Sequence, residues 1–294
     1  MSSSSKRTDV LSAAFAATAV LLIAVLFSTP SKAAPARVVS MNLCTDQLAM
    51  LIAGEGQLQS VSDLAQDPKE SVLADMAQRY TPNRGQAEEV FMMRPDLVIV
   101  GTWTSPASVA LLRRLGFRIE AFPPANSIAE IDEQVLRMGK LLDQEARAEA
   151  LVQKFKNELD EVPARHRETA PVAALHYPNN YTSGRNTMVG DVVERAGLRN
   201  LASELGYEGY VPMPLEVLVS ASPRLIITGN REYAGEALAY DTFNHPALVA
   251  LGSKGKTVSV PDRYWICGAP FTAEVVKTLA KAAGEIDGPS LNSD

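Results

Sequence analysis

The side chains with the most evident chemical use in this chain are large aromatic rings and arginines, not nucleophiles or metal-ligand clusters. Tyr80, Trp103, Tyr177, Tyr181, Tyr233, Tyr264 and Trp265 fall in segments that follow apolar, strand-like runs, although aromatics are only 6% of the chain. Rings gathered in this way cover a large flat guest, while a few polar groups fix its orientation. The expected binding set is Asn42, Tyr80, Arg84, Trp103, Tyr177, Tyr181, Arg185, Tyr264 and Trp265, with Trp103, Tyr80, Tyr181 and Trp265 foremost. Arg84, Arg185, Arg231 and Arg263 would neutralise an anionic guest. Catalytic signatures are missing. Gly54-Glu55-Gly56 lacks the third glycine of a dinucleotide loop, and there is no phosphate-binding loop or nucleophile elbow. His176, beside Tyr177, is the histidine best placed to reach a metal centre, whereas His166 and His245 read as structural. No carboxylate pair or histidine cluster has the spacing of a bare zinc or manganese site, so neither a catalytic residue nor a direct metal ligand is expected.

Composition narrows the class. The chain has 294 residues, 46% of them hydrophobic and 21% charged, which suits about two globular domains. A net charge of −6 without any basic cluster argues against nucleic acid as a partner. Two cysteines are too few for a disulfide-dense scaffold or a four-cysteine zinc site. At the front, Lys6 and Arg7 precede the apolar run Val10–Phe27 and a small-residue exit around Ala33 and Ala36. That pattern predicts a signal peptide over residues 1–33, cut after Ala33 or, second, after Ala36. An uncleaved anchor is the alternative. No cysteine lies just past the run to take a lipid.

The elements that must position the rings come in two similar sets. Glu88, Pro95, Leu97, Ile99 and Gly101 recur at an offset of 128 as Glu216, Pro223, Leu225, Ile227 and Gly229. Each set reads as a short helix stopped by proline, then a β-branched run closed by glycine, as in strands covered on both faces of a parallel sheet. Between the sets, Ile128, Ile131, Val135, Met138 and Leu142 step at helical spacing, as do Leu151, Phe155, Leu159 and Val162. Ser127 and Glu130 are placed for a capping box, and the second helix, roughly 144–166, would run about 30 Å. The expected plan is an N-terminal lobe over 37–126, a connecting helical segment over 127–168 and a C-terminal lobe over 169–288.

Arg37-Val38-Val39-Ser40-Met41-Asn42, Asp46-Gln47-Leu48, Arg94-Pro95-Asp96-Leu97-Val98, Leu112-Arg113-Arg114-Leu115-Gly116 and Gly190-Asp191-Val192-Val193-Glu194-Arg195-Ala196-Gly197 together resemble periplasmic substrate-binding proteins of ABC importers for ferric siderophores, haem and cobalamin. The resemblance spans about 37–284. It implies two α/β lobes with central parallel sheets facing a cleft, joined by a long rigid helix, the class III arrangement. It further implies a monomer in the periplasm, with no resident cofactor, that captures a chelate of iron or cobalt and passes it to a permease dimer powered by an ATPase. Haem is the least favoured cargo.

In that family one glutamate on each lobe docks against permease arginines, and Glu88 and Glu216 hold the matching positions. Both are also good helix-start residues, and Glu89 is a neighbouring candidate. Cys44 and Cys267 lie in segments expected to face the cleft, one per lobe. Outside the cytoplasm they would either pair across it or remain two separate thiols. The competing classes are a doubly wound hydrolase-type enzyme and a membrane-tethered sensor of the same fold.

Overall fold

The β-branched runs of the two repeats form the centres of two parallel sheets in the computed structural model, which describes residues 34–229, 243 and 245–287. The expected signal peptide, the Asn230–Tyr233 segment with Arg231, and the end of the chain from 288 lie outside the described residues. The first sheet has the order β3-β2-β1-β4-β5, built from Val38–Ser40 (β1), Leu58–Ser62 (β2), Thr81–Asn83 (β3), Leu97–Gly101 (β4) and Ile119–Phe122 (β5). Every pairing in it is parallel. In the second sheet Val172–His176 (β6), Arg199–Asn200 (β8), Leu225–Thr228 (β10) and Lys256–Ser259 (β11) run in the order β11-β10-β6-β8, also parallel. Tyr181–Ser183 (β7) and Tyr210–Pro212 (β9) form a separate antiparallel ribbon.

Period-two alternation explains the layering. Val38, Leu97 and Ile99 point into one core and Val39, Val98 and Val100 into another on the opposite face. In the second sheet Ala173, Leu175, Leu225 and Ile227 join the first core, while Ala174 and Ile226 face a third. One apolar core therefore runs unbroken from sheet to sheet, with side chains of the connecting helices inside it. Each fully covered aliphatic side chain there contributes about 1.5–3 kcal/mol.

The connection is a helical hairpin. Helix α5 (Ile128–Leu142) and helix α6 (Glu145–Asp160) meet at Asp143, whose φ of 58° turns the chain back. Ser127 Oγ accepts from Glu130 N at 3.2 Å, and the Glu130 carboxylate reaches back to Asn126 N at 2.8 Å, one residue before the position a capping box uses. Helix α6 is shorter than its periodicity predicts, and Pro163 follows its end closely enough to prevent continuation.

Helix α1 (Leu43–Ile52) carries a buried acid. Asp46 is wholly covered, and its Oδ2 accepts from Ser62 N at 3.0 Å and from the Ser62 hydroxyl. Burial raises its pKa from the usual 3.8 to about 6, against the lowering effect of the serine hydrogen bonds. The folded protein thus keeps a proton that the unfolded chain releases between those values, so stability falls as pH rises from about 4 to about 6. The expected loss is about 3 kcal/mol. Asp46→Asn should flatten that slope and unfold at higher urea than the parent at pH 7.5. Parallel pH–stability curves for the two proteins would contradict this.

Candidate ligand-binding site

Strand order reverses in the first sheet between β1 and β4, and a crevice opens outside the carboxyl ends of such neighbours. The chain leaving β1 turns at Asn42, whose Oδ1 accepts from Cys44 N at 3.1 Å and caps helix α1. The chain leaving β4 passes through Gly101, where a Cβ would lie 2.6 Å from the Asn42 side chain. Glycine is required there for space, and it lets the Asn42 amide lie against the strand end. The crevice between them holds about 120 Å³ and is walled by Asn42, Thr45, Gly101, Phe122, Gln134, Ile266 and the paired cysteines, among others. None of its described lining residues is charged. Trp103, 82% exposed, and Ile266, 54% exposed, are apolar surfaces left open on this lining.

The far wall comes from the second lobe. Cys44 and Cys267 form a disulfide between residues 223 apart in sequence. Arg263 Nη1 adds a second tie by donating to Pro68 O at 2.6 Å. Gly268 packs so closely on the start of the connection that a Cβ would fall 2.6 Å from that of Ala125. The segment following β11 is thus pinned to the first lobe at three points.

Other expected site residues are dispersed. Trp265 requires correction as a cargo-facing ring: it is 3% exposed, belongs to the main core, and meets Tyr177 edge-on at 6.5 Å. Tyr177 packs partly buried against that core, and burial pushes its phenol well above the usual range. Tyr264 packs there too, with the Arg263 guanidinium 5.4 Å from its ring centre. Tyr80 precedes β3 rather than following a strand, so it sits at the amino end of the sheet, packed on the core. Arg84 does follow β3, but on the far edge of the sheet, exposed and 3.8 Å from Asp63. Tyr181 is 44% exposed on the ribbon. Arg185 donates to Ser203 O at 3.0 Å and lines a different groove of about 760 Å³. That groove mixes Arg167 and Arg185 with Glu130, Asp191 and Glu194 and shares no lining residue with the crevice. The larger volume is an open, mixed-charge surface; the smaller lies at the switch point and has the composition of a ligand contact.

The histidines have local partners. His176 is buried at the end of β6 with Phe243 edge-on at 5.0 Å, and His245 Nδ1 accepts from Ala247 N to cap helix Pro246–Lys254. Among the described residues no group of three or more His, Cys, Asp or Glu is gathered to hold a metal ion. Sequence reasoning missed Gln134, Thr45, Phe122 and Ile266, since a neutral residue in a helix or after a turn carries no chemical signature.

Glu88 and Glu216 lie exposed in the first turns of two seven-residue helices, Ala87–Met93 and Leu215–Ala221. Both helices end in a left-handed residue directly before proline, Arg94 with φ 49° and Ser222 with φ 48°. Glu89 differs from Glu88 in being engaged locally, accepting from Arg84 N at 2.8 Å.

Two parallel sheets flanked by helices and bridged by a helical hairpin, with a crevice between the strand ends of the first sheet and the 266–268 segment of the second lobe, define a bilobal binding protein of class III type. The chain belongs to the periplasmic binding protein family, whose model matches residues 38–260. The family and the relatives below are binding proteins, not enzymes. A cobalamin-binding protein of Halobacterium salinarum is 28% identical over 205 residues, covering 66% of this chain and 54% of that protein. The chain thus matches about half the length of its curated relative. Solved structures share the fold. The periplasmic heme-binding protein RhuT of Roseiflexus sp. RS-1 has 21% identity and a TM-score of 0.69 over 85% of this chain and 98% of its own. The vitamin B12 binding protein BtuF of Vibrio cholerae has 17% identity and a TM-score of 0.62 over 87% and 99%. Among the described residues no helix is long and apolar enough to cross a membrane.

Proposed function

We propose that this chain is the exported, periplasmic solute-binding component of an ABC importer, and that its cargo is a bulky metal chelate of the corrinoid type. The observation that carries the reading is the Trp103 ring, 82% exposed beside a crevice between two lobes whose described lining is uncharged. A broad planar cargo gains most from such a surface. The neutral lining favours a corrinoid over an anionic ferric siderophore, because a buried unpaired charge is costly. The name of the haloarchaeal relative supports the same choice. The cobalt arrives already chelated, so the protein needs no metal ligands of its own. Glu88 and Glu216 are the docking contacts for a permease dimer, whose ATPase supplies the energy of transport.

Tryptophan fluorescence is the test. With Trp265 buried, cargo at the crevice should quench Trp103, and a panel of cobalamin, haem and ferric siderophores should rank with cobalamin first. Trp103→Ala should abolish the quenching. By a label-free method such as calorimetry, it should also weaken binding roughly tenfold, the scale of one stacked aromatic contact. A siderophore at the head of the ranking would displace the corrinoid assignment.

A further inference from the structure

We infer that the end of the first lobe opposite the crevice is a lipid-contact surface, by which the protein rests on an anionic phospholipid leaflet with its crevice turned away. The surface is read from its own residues. Only the choice of leaflet, the one that holds the permease, rests on the periplasmic reading.

Large apolar side chains exposed singly are ordinary, whereas a cluster of them marks a contact. Phe91 and Met92 lie at the end of the helix Ala87–Met93, and Leu115 directly follows the helix Pro106–Arg114. Met92 is 76% exposed, and Phe91 and Leu115 are about half exposed. The two helices cover the same face of the first sheet, where Val90, Val109 and Leu112 share one core. At their ends the Phe91 ring meets that of Phe117 edge-on at 6.1 Å, so the exposed residues belong to one apolar surface. Both helices end just before β4 and β5 begin, at the amino ends of the strands. The crevice and Trp103 lie at the carboxyl ends.

This end is also basic, in a chain of net charge −6. Arg94, Arg113 and Arg114 are exposed beside Met93 and Leu115, and none has an ion-pair partner among the described residues. The Arg37 guanidinium is held at the same place, donating to Met93 O at 2.6 Å and to Arg94 O at 3.2 Å. The neighbouring carboxylates are engaged. Asp96 accepts from Ala36 N at 2.8 Å and Arg37 N at 3.1 Å, and Glu120 lies 3.7 Å from Arg118 and 3.9 Å from Arg137. Apolar side chains ringed by guanidinium groups suit a headgroup region. Phosphate oxygens accept from arginine, while thioether and ring enter the acyl boundary. A protein partner would need roughly 800 Å² of complementary surface, which a few protruding side chains do not supply. An anionic leaflet repels the acidic remainder of the molecule, so charge selects this end.

Full-length protein would be floated with vesicles of phosphatidylcholine alone and with vesicles containing phosphatidylglycerol. Binding is expected only to the anionic vesicles, and it should be lost as salt rises from about 0.05 M to about 0.5 M. Arg113→Glu with Arg114→Glu should weaken it by at least about thirtyfold, and Met92→Ser by about fivefold. Lys140→Glu with Lys281→Glu, the same change of charge placed elsewhere on the surface, should bind like the parent. Acrylamide should quench Trp103 equally with and without vesicles. If the double arginine variant fails to fold, Met92→Ser, at an exposed site, carries the test. No binding to anionic vesicles, equal binding to neutral ones, patch variants that bind like the parent, or equal loss in the lysine variant would each overturn the surface. Protection of Trp103 from acrylamide would put the crevice on the lipid and overturn it too. None of these readouts involves cargo, so their failure leaves the cargo assignment standing, and failure to bind any chelate leaves the surface standing.

Discussion

Glu88→Arg combined with Glu216→Arg should abolish cargo uptake by cells while leaving the binding constant of the purified protein unchanged. Both carboxylates are exposed, and neither pairs with another described residue, so reversal disturbs no internal contact. Each sits in a first helical turn, where a negative charge suits the helix dipole, so the folding penalty is a few tenths of a kcal/mol per site. At a docking surface the effect is much larger. Losing one hydrogen-bonded charge pair costs about 2–5 kcal/mol, and putting arginine against arginine adds repulsion. Two such losses amount to more than about a thousandfold in docking affinity. Single reversals should give intermediate uptake. Uptake of labelled cargo in cells, beside calorimetric binding of the purified protein, separates the two steps. Normal uptake by the double variant would dismiss the docking role.

The second large effect concerns the Cys44–Cys267 bridge. Converting both residues to serine should lower unfolding free energy by about 5 kcal/mol, the entropy of closing so long a loop in the denatured chain. Urea melts of the parent, the reduced parent and the double-serine protein would measure it. A change below about 1 kcal/mol would mean that the denatured chain is already compact enough for the link to matter little. Because the bridge also walls the crevice, the serine variant should bind cargo more weakly. The continuous core and the Arg263–Pro68 contact would still hold the lobes in register.

The architecture was largely legible because its signals are repetitive and apolar. Leu97–Gly101 and Leu225–Thr228 announced themselves as β-branched runs, and Pro95 and Pro223 marked the ends of the helices before them. The edge strand Thr81–Asn83 escaped notice, because three mostly exposed residues containing a proline have no periodicity to read. So did the β7–β9 ribbon, whose pairing depends on a contact far apart in sequence. The site was read less well. Asn42 and Trp103 stood out because they follow strong strands, and both line the crevice; Cys44 and Cys267 stood out because cysteine is rare here. Trp265 was misread, since burial of a ring next to a turn is decided by tertiary packing. Gln134 was invisible for the opposite reason: a neutral polar residue inside an amphipathic helix looks like solvent-facing filler until the fold brings β5 and the Cys267 segment over it.

A bond between positions 44 and 267 turns most of the described chain into a closed ring with two short tails. Cutting a ring once opens it without dividing it. A protease that nicks any exposed loop inside that span leaves both pieces covalently attached and packed on the same core, so a single scission changes migration on a denaturing gel only after a reductant is added. Clearance of the oxidised protein therefore demands two hits where an unbridged chain would need one.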